Sequence, residues 1–316
     1  MNTSTAAKIS ICIPAYNAPA QLQETLESIA LAARGRTDIE VVIRDDGSPS
    51  GDLITVVQPF MSRLRINYAR QPQNLGFDGN VLSVVGAATG EYCWLMSDND
   101  WLLPQAFDQL FAILAAHPQA DYIYIDRINQ LDEVPSPPFA ASVKVASAEE
   151  FLLRHDYPGF ISSQLIRRTL WNAADKEKYR GNLWIHASTI MELLPRAYIV
   201  RSGTPLIRAR NENSWVRGGK NLRTFLSLKR IVADLPRFGY APAAVEELQR
   251  RFARDAFEVL AYAKLCGLPV NRATAAEIIR SFKKQPLVLA GLLMLLYTPV
   301  FILRPLGKLM HNHFKK

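Results

Sequence analysis

The sequence predicts an α/β fold: a mostly parallel central sheet flanked by helices, then a C-terminal helical region and an apolar tail. Three observations predict it. Short apolar runs alternate with stretches of helical spacing from residue 9 to residue 126. Several of those runs stop abruptly in polar residues, at Pro14-Ala15-Tyr16-Asn17, at Asp45-Asp46 and at Asp98-Asn99-Asp100. The chain has 316 residues, 49% hydrophobic and 21% charged, which is globular material for one large domain or two small ones.

The elements follow in order. "ISICIP" (9–14) reads as a short buried strand, and "PAQLQETLESIALAA" behind it has helical spacing of its apolar residues. "IEVVIR" (39–44) is a second strand, and it ends in the turn-rich "DDGSPSGD". A helix over 52–63 and a strand "RINYAR" (65–70) come next. The loop "QPQNLGFDGN" leads into a helix over 80–88. "EYCWLM" (91–96) is a fourth strand, followed by a helix over 104–116 and a strand "DYIYID" (121–126). Strands separated by helices of this length make βαβ units, and ligands of such sheets bind beyond the C-terminal strand ends. All three polar stretches lie at such ends.

Past residue 130 the alternation loosens. "VPSPPFAAS" (134–142) is a Pro-rich connection, "FISSQLIRR" (160–168) reads as a strand, and "GNLWIHASTIMELL" (181–194) as a loop entering a helix. "AYIVRSGTPLIRARNENSW" (197–215) suggests a hairpin. The expected division is a first domain over 1–218, a basic helical region over 219–284 and a tail over 285–316.

The formal charge of +8 implies an anionic partner: nucleic acid, an acidic lipid surface or a phosphorylated ligand. Cys12, Cys93 and Cys266 are far apart with no metal-ligand spacing, and read as reduced core residues of a cytosolic protein. The opening residues predict no secretory signal. The apolar run from Pro286 to Leu303 would make a helix roughly 27 Å long, just short of a ~30 Å hydrocarbon core, with a kink at Pro299. It could dip into a membrane, lie in its interface or just span it; the plainer alternative is a buried core helix. Flanking Lys283, Lys284, Arg304, Lys308, Lys315 and Lys316 favour an anionic cytoplasmic leaflet.

Asp98 and Asp100 are two carboxylates one residue apart. Such a pair can face one divalent ion, and hard cations bind through one or two carboxylates plus substrate phosphates. A polar turn capping the next helix is the plainer reading. Asp45 and Asp46 suit a ribose or base edge, with an Asp-Gly turn as the alternative. "IPAYNAPAQ" lacks Gly-x-Gly-x-x-Gly, so a dinucleotide would find no glycine-lined loop.

Taken together, "ISICIPAYNAPAQLQETLESI", "IEVVIRDDGSPSGD" and "NLGFDGNVLSVVGAATGEYCWLMSDND" resemble family 2 glycosyltransferases of the Rossmann-like GT-A fold. The resemblance is close over 8–130 and looser over 155–215. The loop Asn74–Asn80 looks like the subgroup that builds bacterial surface polysaccharide, including abequosyltransferase-like enzymes of O-antigen assembly. The resemblance implies that Pro14, Ala15 and Tyr16 line a nucleotide pocket and that Asp45 contacts base or ribose with Asp46 close by. Gly76, Asp78 and Asn80 would lie near the nucleotide or donor sugar. Asp98 would face the ribose, donor or metal, and Asp100 would ligate a Mn²⁺ or Mg²⁺ bridging the diphosphate.

The second half departs from that pattern. The Glu-Asp pair that usually supplies the base is absent between 155 and 215, and its place is taken by "NLWIH" (182–186). His186 is the first candidate base, because an imidazole titrates near neutrality; a structural histidine at a helix start is the alternative. Asp175 and Glu192 are weaker candidates that suit capping or solvation. Arg208, Arg210 and Asn213 precede Trp215. Arg210 could clamp a phosphate of the donor or acceptor, and Trp215 could stack on a sugar; a basic edge strand with a packing Trp is the alternative. A Gln-x-x-Arg-Trp signature is missing, which predicts single transfer and no polymerisation. His311 and His313 are assigned no role.

The implied activity is transfer of one sugar from a nucleotide-diphosphate sugar to a polyprenyl-diphosphate-linked saccharide, inverting and metal-dependent. The implied location is the cytoplasmic face of the inner membrane, peripheral or tail-anchored, with no nucleic-acid partner. Two other classes compete. A nucleotidyltransferase would need a basic Gly-rich loop after the first strand, and a non-catalytic nucleotide- or sugar-binding module would not hydrolyse donor.

Overall fold

The computed structural model describes residues 7–49, 51–155, 157–210 and 220–304. The chain divides into two compact units, Met1–Asn211 and Glu212–Lys316.

The first unit begins with β1 (Ile9–Ala15), α1 (Pro19–Ala33) and β2 (Ile39–Asp45). β1 is largely apolar and β2 is apolar at its centre, and both are buried along nearly their whole length because both sheet faces are covered. The helix expected over 52–63 is two short pieces, α2 (Ile54–Val57) and a 3₁₀ turn at Gln58–Phe60, since Pro59 interrupts it. β3 (Ile66–Arg70) precedes α3 (Gly76–Gly86), which starts four residues earlier than its apolar spacing indicates. Asn74 causes this: its Oδ1 accepts the Gly76 N–H at 2.9 Å, and Gly76 takes a left-handed φ of +72°. β4 (Tyr92–Leu95), the two-residue β5 (Trp101–Leu102), α4 (Ala106–Ala116) and β6 (Tyr122–Asn129) follow.

The less regular part holds β7 (Val143–Lys144), α5 (Ala148–Glu150), β8 (Gln164–Arg167), α6 (Arg168–Asn172), α7 (Ile185–Leu193) and β9 (Ile199–Ala209). The nine strands form one sheet in the order β3-β2-β1-β4-β8-β6-β9-β5, with β7 on β9. β1, β2, β3 and β4 pair in parallel, as do β6 and β9. β8 runs antiparallel between β4 and β6, and β5 and β7 are antiparallel to β9. The sheet is therefore mixed, not mostly parallel in its pairing. Between β6 and β8 the described residues hold only short helical stretches, among them α5 and the π-turn Phe151–His155, and β8 enters the sheet reversed.

The expected hairpin over 197–215 is instead one eleven-residue strand, β9, reaching β6 on one edge and β5 and β7 on the other. Gly203 allows it to bend. Its φ is +71°, a Cβ there would lie 2.1 Å from the Ala141 carbonyl oxygen, and the β6–β9 register shifts nearby. Asn213 and Trp215 lie outside the described residues, as do His311 and His313.

The second unit is helical: α8 (Lys220–Asp234), α9 (Pro242–Leu265), α10 (Arg272–Phe282) and α11 (Pro286–Tyr297). Its core joins Leu222 and Leu226 to Leu260, Ile278 and Phe282, and includes Leu292 and Leu296 from the apolar run. That run is not one long helix. α11 stops at Tyr297, before Pro299, and no helix among the described residues is long and apolar enough to cross a membrane.

Candidate active site

The C-terminal ends of β1, β2 and β4 meet at a cleft of about 410 Å³. β1 brings Pro14 and Tyr16, the loop after β2 brings Asp46, and the loop after β4 brings Ser97 and Asp98. The turn into α3 adds Asn74, Gly76, Phe77 and Asn80, and Ile161 closes the wall from before β8. Tyr16 and Phe77 are 48% and 38% exposed, so two aromatic faces stand open in a cleft whose charged lining groups are Asp46 and Asp98.

The loops that form the wall are tied to one another. The Tyr16 N–H donates to Asp98 Oδ2 at 3.1 Å, and the Asn17 N–H to Ser48 Oγ at 2.8 Å. Asp45 organises the loop from within: its Oδ1 accepts the Ser48 N–H and hydroxyl, and its Oδ2 accepts the Leu53 N–H and the Tyr68 hydroxyl. Asp45 is fully buried and does not line the cleft, nor does Ala15, whose side of β1 faces the core. Asp46 accepts the Leu75 N–H at 2.7 Å. Burial raises its pKa, opposed by the Leu75 and Gly76 amides and supported by the charge of Asp45.

Asp78 is a clamp on the chain that leads into α7. Its Oδ2 accepts the Gly181 and Leu183 amides at 2.8 and 2.9 Å, and its Oδ1 accepts that of Ile185 at 3.2 Å. Asn80 has its amide nitrogen fixed on the Arg44 and Ala15 carbonyls at 2.9 and 3.4 Å.

Asp100 departs from its expected place. It is 2% exposed and does not line the cleft. Its Oδ2 accepts the Ser162 hydroxyl at 2.6 Å and its Oδ1 the Arg210 N–H at 3.0 Å. Burial raises its pKa against those two bonds and the charges of Arg127 and Arg210. The Arg210 side chain packs 4.3 Å over the Trp101 ring, donates to the Asn99 carbonyl and pairs with Glu24, so it braces the Asp98–Trp101 segment and is not at the cleft wall.

His186 is likewise displaced from the role expected of it. It is 2% exposed, stacked on Trp184 and edge-on to Phe77 at 5.5 Å. Nε2 lies 3.0 Å from the Gly159 carbonyl, which only a protonated nitrogen can satisfy, so the neutral ring leaves Nδ1 as an unpartnered acceptor. Burial lowers its pKa to about 4. This is a neutral packing residue that props a cleft wall. Asp175 and Glu192 also have structural work: Asp175 caps the Glu177 amide, and Glu192 holds Tyr179 and Lys178.

A divalent cation was the other expectation. Among the described residues no three His, Cys, Asp or Glu side chains are grouped to hold a metal. Among the described residues the cleft nonetheless offers carboxylates and no Lys or Arg in its lining. That donor set fits a Mg²⁺ or Mn²⁺ carried with phosphates, which needs one or two carboxylates, and does not fit a closed protein cage.

A mixed α/β sheet with a carboxylate-bearing cleft at its parallel strand ends defines a GT-A-like protein. The solved structures agree: Staphylococcus aureus TarS 1–349 matches with a TM-score of 0.63 at 16% identity, covering 90% of each chain. PcManGT of Pyrobaculum calidifontis, solved with GDP-Man and Mn²⁺, matches with a TM-score of 0.55 at 15% identity over 98% of this chain and 85% of that one. The sequence model of the family described as "Glycosyl transferase family 2" matches residues 10–151. The chain is a glycosyltransferase. It is 29% identical to the abequosyltransferase RfbV of Salmonella typhimurium over 242 residues, 69% of this chain and 71% of that protein. It is 40% identical to a validoxylamine A glucosyltransferase of Streptomyces hygroscopicus over 75 residues, only 24% of this chain and 17% of that protein.

Proposed function

We propose that this glycosyltransferase moves a single sugar from a nucleoside-diphosphate sugar to a lipid-linked saccharide during assembly of a bacterial surface polysaccharide, at the cytoplasmic face of the membrane. The observation that carries the donor class is the cleft itself, whose lining brings together Asp46, Asp98, Tyr16 and Phe77. TarS has been solved with UDP and with UDP-GlcNAc, and a relative matched over 69% of this chain is an abequosyltransferase. The apolar, basic C-terminal region supports the choice of a lipid-linked acceptor.

In this reading Tyr16 and Phe77 bind the flat and apolar parts of the donor, and Asp46 accepts hydrogen bonds from the base or ribose. Asp98, the carboxylate of the Asp98–Asp100 pair that lines the cleft, would hold a Mg²⁺ or Mn²⁺, and the ion would neutralise charge on the leaving diphosphate. Asp45, Asp78 and Arg210 act by holding the cleft's loops in place before the donor arrives, so little ordering remains to be done on binding. The acceptor oxygen would attack the anomeric carbon in line as the carbon–oxygen bond to the diphosphate breaks, with inversion, and the hydroxyl proton would pass to water or to the departing diphosphate.

The test is calorimetric titration of UDP, GDP, CDP and dTDP, each with and without Mn²⁺ or Mg²⁺, into wild type and Asp98→Ala. One nucleotide is expected to bind in a divalent-dependent manner, and Asp98→Ala to weaken it by roughly tenfold or more. A wild type that binds none of the four under either ion would sink the proposal.

A further inference from the structure

The second unit carries a surface that its own fold leaves uncovered. α11 is docked by one face only. Leu292 and Leu296 are buried in the helical core, and Gly291 lets α11 approach α9 so closely that a Cβ there would lie 2.8 Å from Phe257. At its C-terminal end the Lys264 ammonium donates to the carbonyls of Leu295 and Leu296 at 2.7 and 2.5 Å and to that of Thr298. The helix is thus fastened along its length.

The opposite face is apolar and open. Leu287, Met294 and Tyr297 are 89%, 76% and 61% exposed, and Ala290 is exposed between them. Spacings of three, four and three residues place all four on one stripe. Beyond Pro299, Phe301 and Ile302 are also exposed, at 70% and 51%. A soluble helix would carry polar residues here.

The charge of the chain indicates what covers this stripe. Residues 212–316 hold 18 Lys and Arg against 7 Asp and Glu, whereas residues 1–211 hold 19 against 22. The last acidic residue is Glu277, and every charged residue after it is basic. Lys283, Lys284 and Arg304 are exposed at the two ends of the stripe. A second copy of the same unit would be repelled, and a nucleic acid has no use for a row of bare Leu, Met and Phe.

We infer that α11 and the turn after it dock in the plane of an anionic lipid bilayer, with the apolar stripe in the interface and the basic ends at the headgroups. A helix fastened to protein on one face cannot be surrounded by lipid, so this contact is parallel to the membrane and not across it. It gives a physical form to the membrane location proposed above, and its test is independent of the sugar chemistry.

The full chain is mixed with phosphatidylcholine vesicles, with or without about 30% phosphatidylglycerol, and separated by flotation. Wild type is expected to float with the anionic vesicles and at least about tenfold less with the neutral ones. Leu287→Glu/Met294→Glu, both at exposed sites, is expected to lose binding about tenfold or more with unchanged circular dichroism. Lys283→Gln/Lys284→Gln is expected to lose it severalfold. In Met294→Trp, the fluorescence gained over wild type is expected to be quenched by lipids brominated near the headgroup.

Vesicle binding that the Glu pair leaves intact would overturn the inference. So would a wild-type dimer in light scattering that the Glu pair dissociates, or quenching strongest from bromines at the chain ends. Nucleotide titration of the same preparations separates the two proposals: a wild type that floats but binds no nucleotide leaves this one standing and removes the other.

Discussion

Asp45 and Asp46 are neighbours in sequence and opposites in use. Asp45 spends both oxygens on its own loop, while Asp46 keeps a face on the cleft. The same division separates Asp98 from Asp100. The sequence locates each acidic stretch at a strand end, but which member turns outward depends on the turn at Asp98-Asn99, where period-two alternation no longer holds. Asn74 and Phe77 were within reach of sequence reasoning, since they belong to the same loop as Gly76. Ile161 was not, because nothing local to it indicates that β8 returns beside β4. His186 is the clearest divergence between residue type and role. A general base contributes about 10²–10⁴-fold; His186→Phe is expected to cut kcat by less than about tenfold and to leave the acid limb of the pH profile in place. A hundredfold loss with that limb abolished would return the base role to His186. Stability gives an independent check. The folded pKa is near 4 against an ordinary 6.5, so the unfolded chain takes up the proton first. Wild type should therefore lose stability as pH falls through 6.5 towards 4, by on the order of 3 kcal/mol in denaturant titrations. The His186→Phe variant should lack that component of the slope.

At the level of elements, β1, β2, β4 and α1 were legible because a buried strand and an amphipathic helix have distinct periods. β5 and β7 were not, since two residues carry no period at all. Gly203-Thr204-Pro205 has the residues of a turn, and they favour a hairpin. The structure uses Gly203 for a bend inside a continuing strand. Gly203→Ala should destabilise the fold by roughly 2–4 kcal/mol, through a left-handed φ and a contact with the Ala141 carbonyl, measurable by chemical denaturation. An unchanged midpoint would mean that the β9 bend relaxes freely.

On the scale of the whole molecule, the net charge of +8 gave three partners without choosing among them. Its distribution is more informative, because the excess of basic residues belongs to residues 212–316 alone. Charge and apolar area should therefore be separable. Leu287→Glu/Met294→Glu should elute from a heparin column at nearly the wild-type salt concentration while failing to float with vesicles. A large shift in elution would show that two added carboxylates, not the loss of apolar surface, explain the failure.

The Asp78 clamp also has a meaning in time. The amides it holds lie 103 to 107 residues further along the chain. During synthesis the segment through α3 leaves the ribosome long before residue 185 does, and until then a carboxylate destined for burial has only water for company. The partners of Asp78, beside the cleft residues Phe77 and Asn80, thus arrive late, even though most of the cleft's lining residues are made early. A nascent chain stalled before residue 181 should bind no nucleotide, and one released after Asn211 should, if the first unit folds as it emerges.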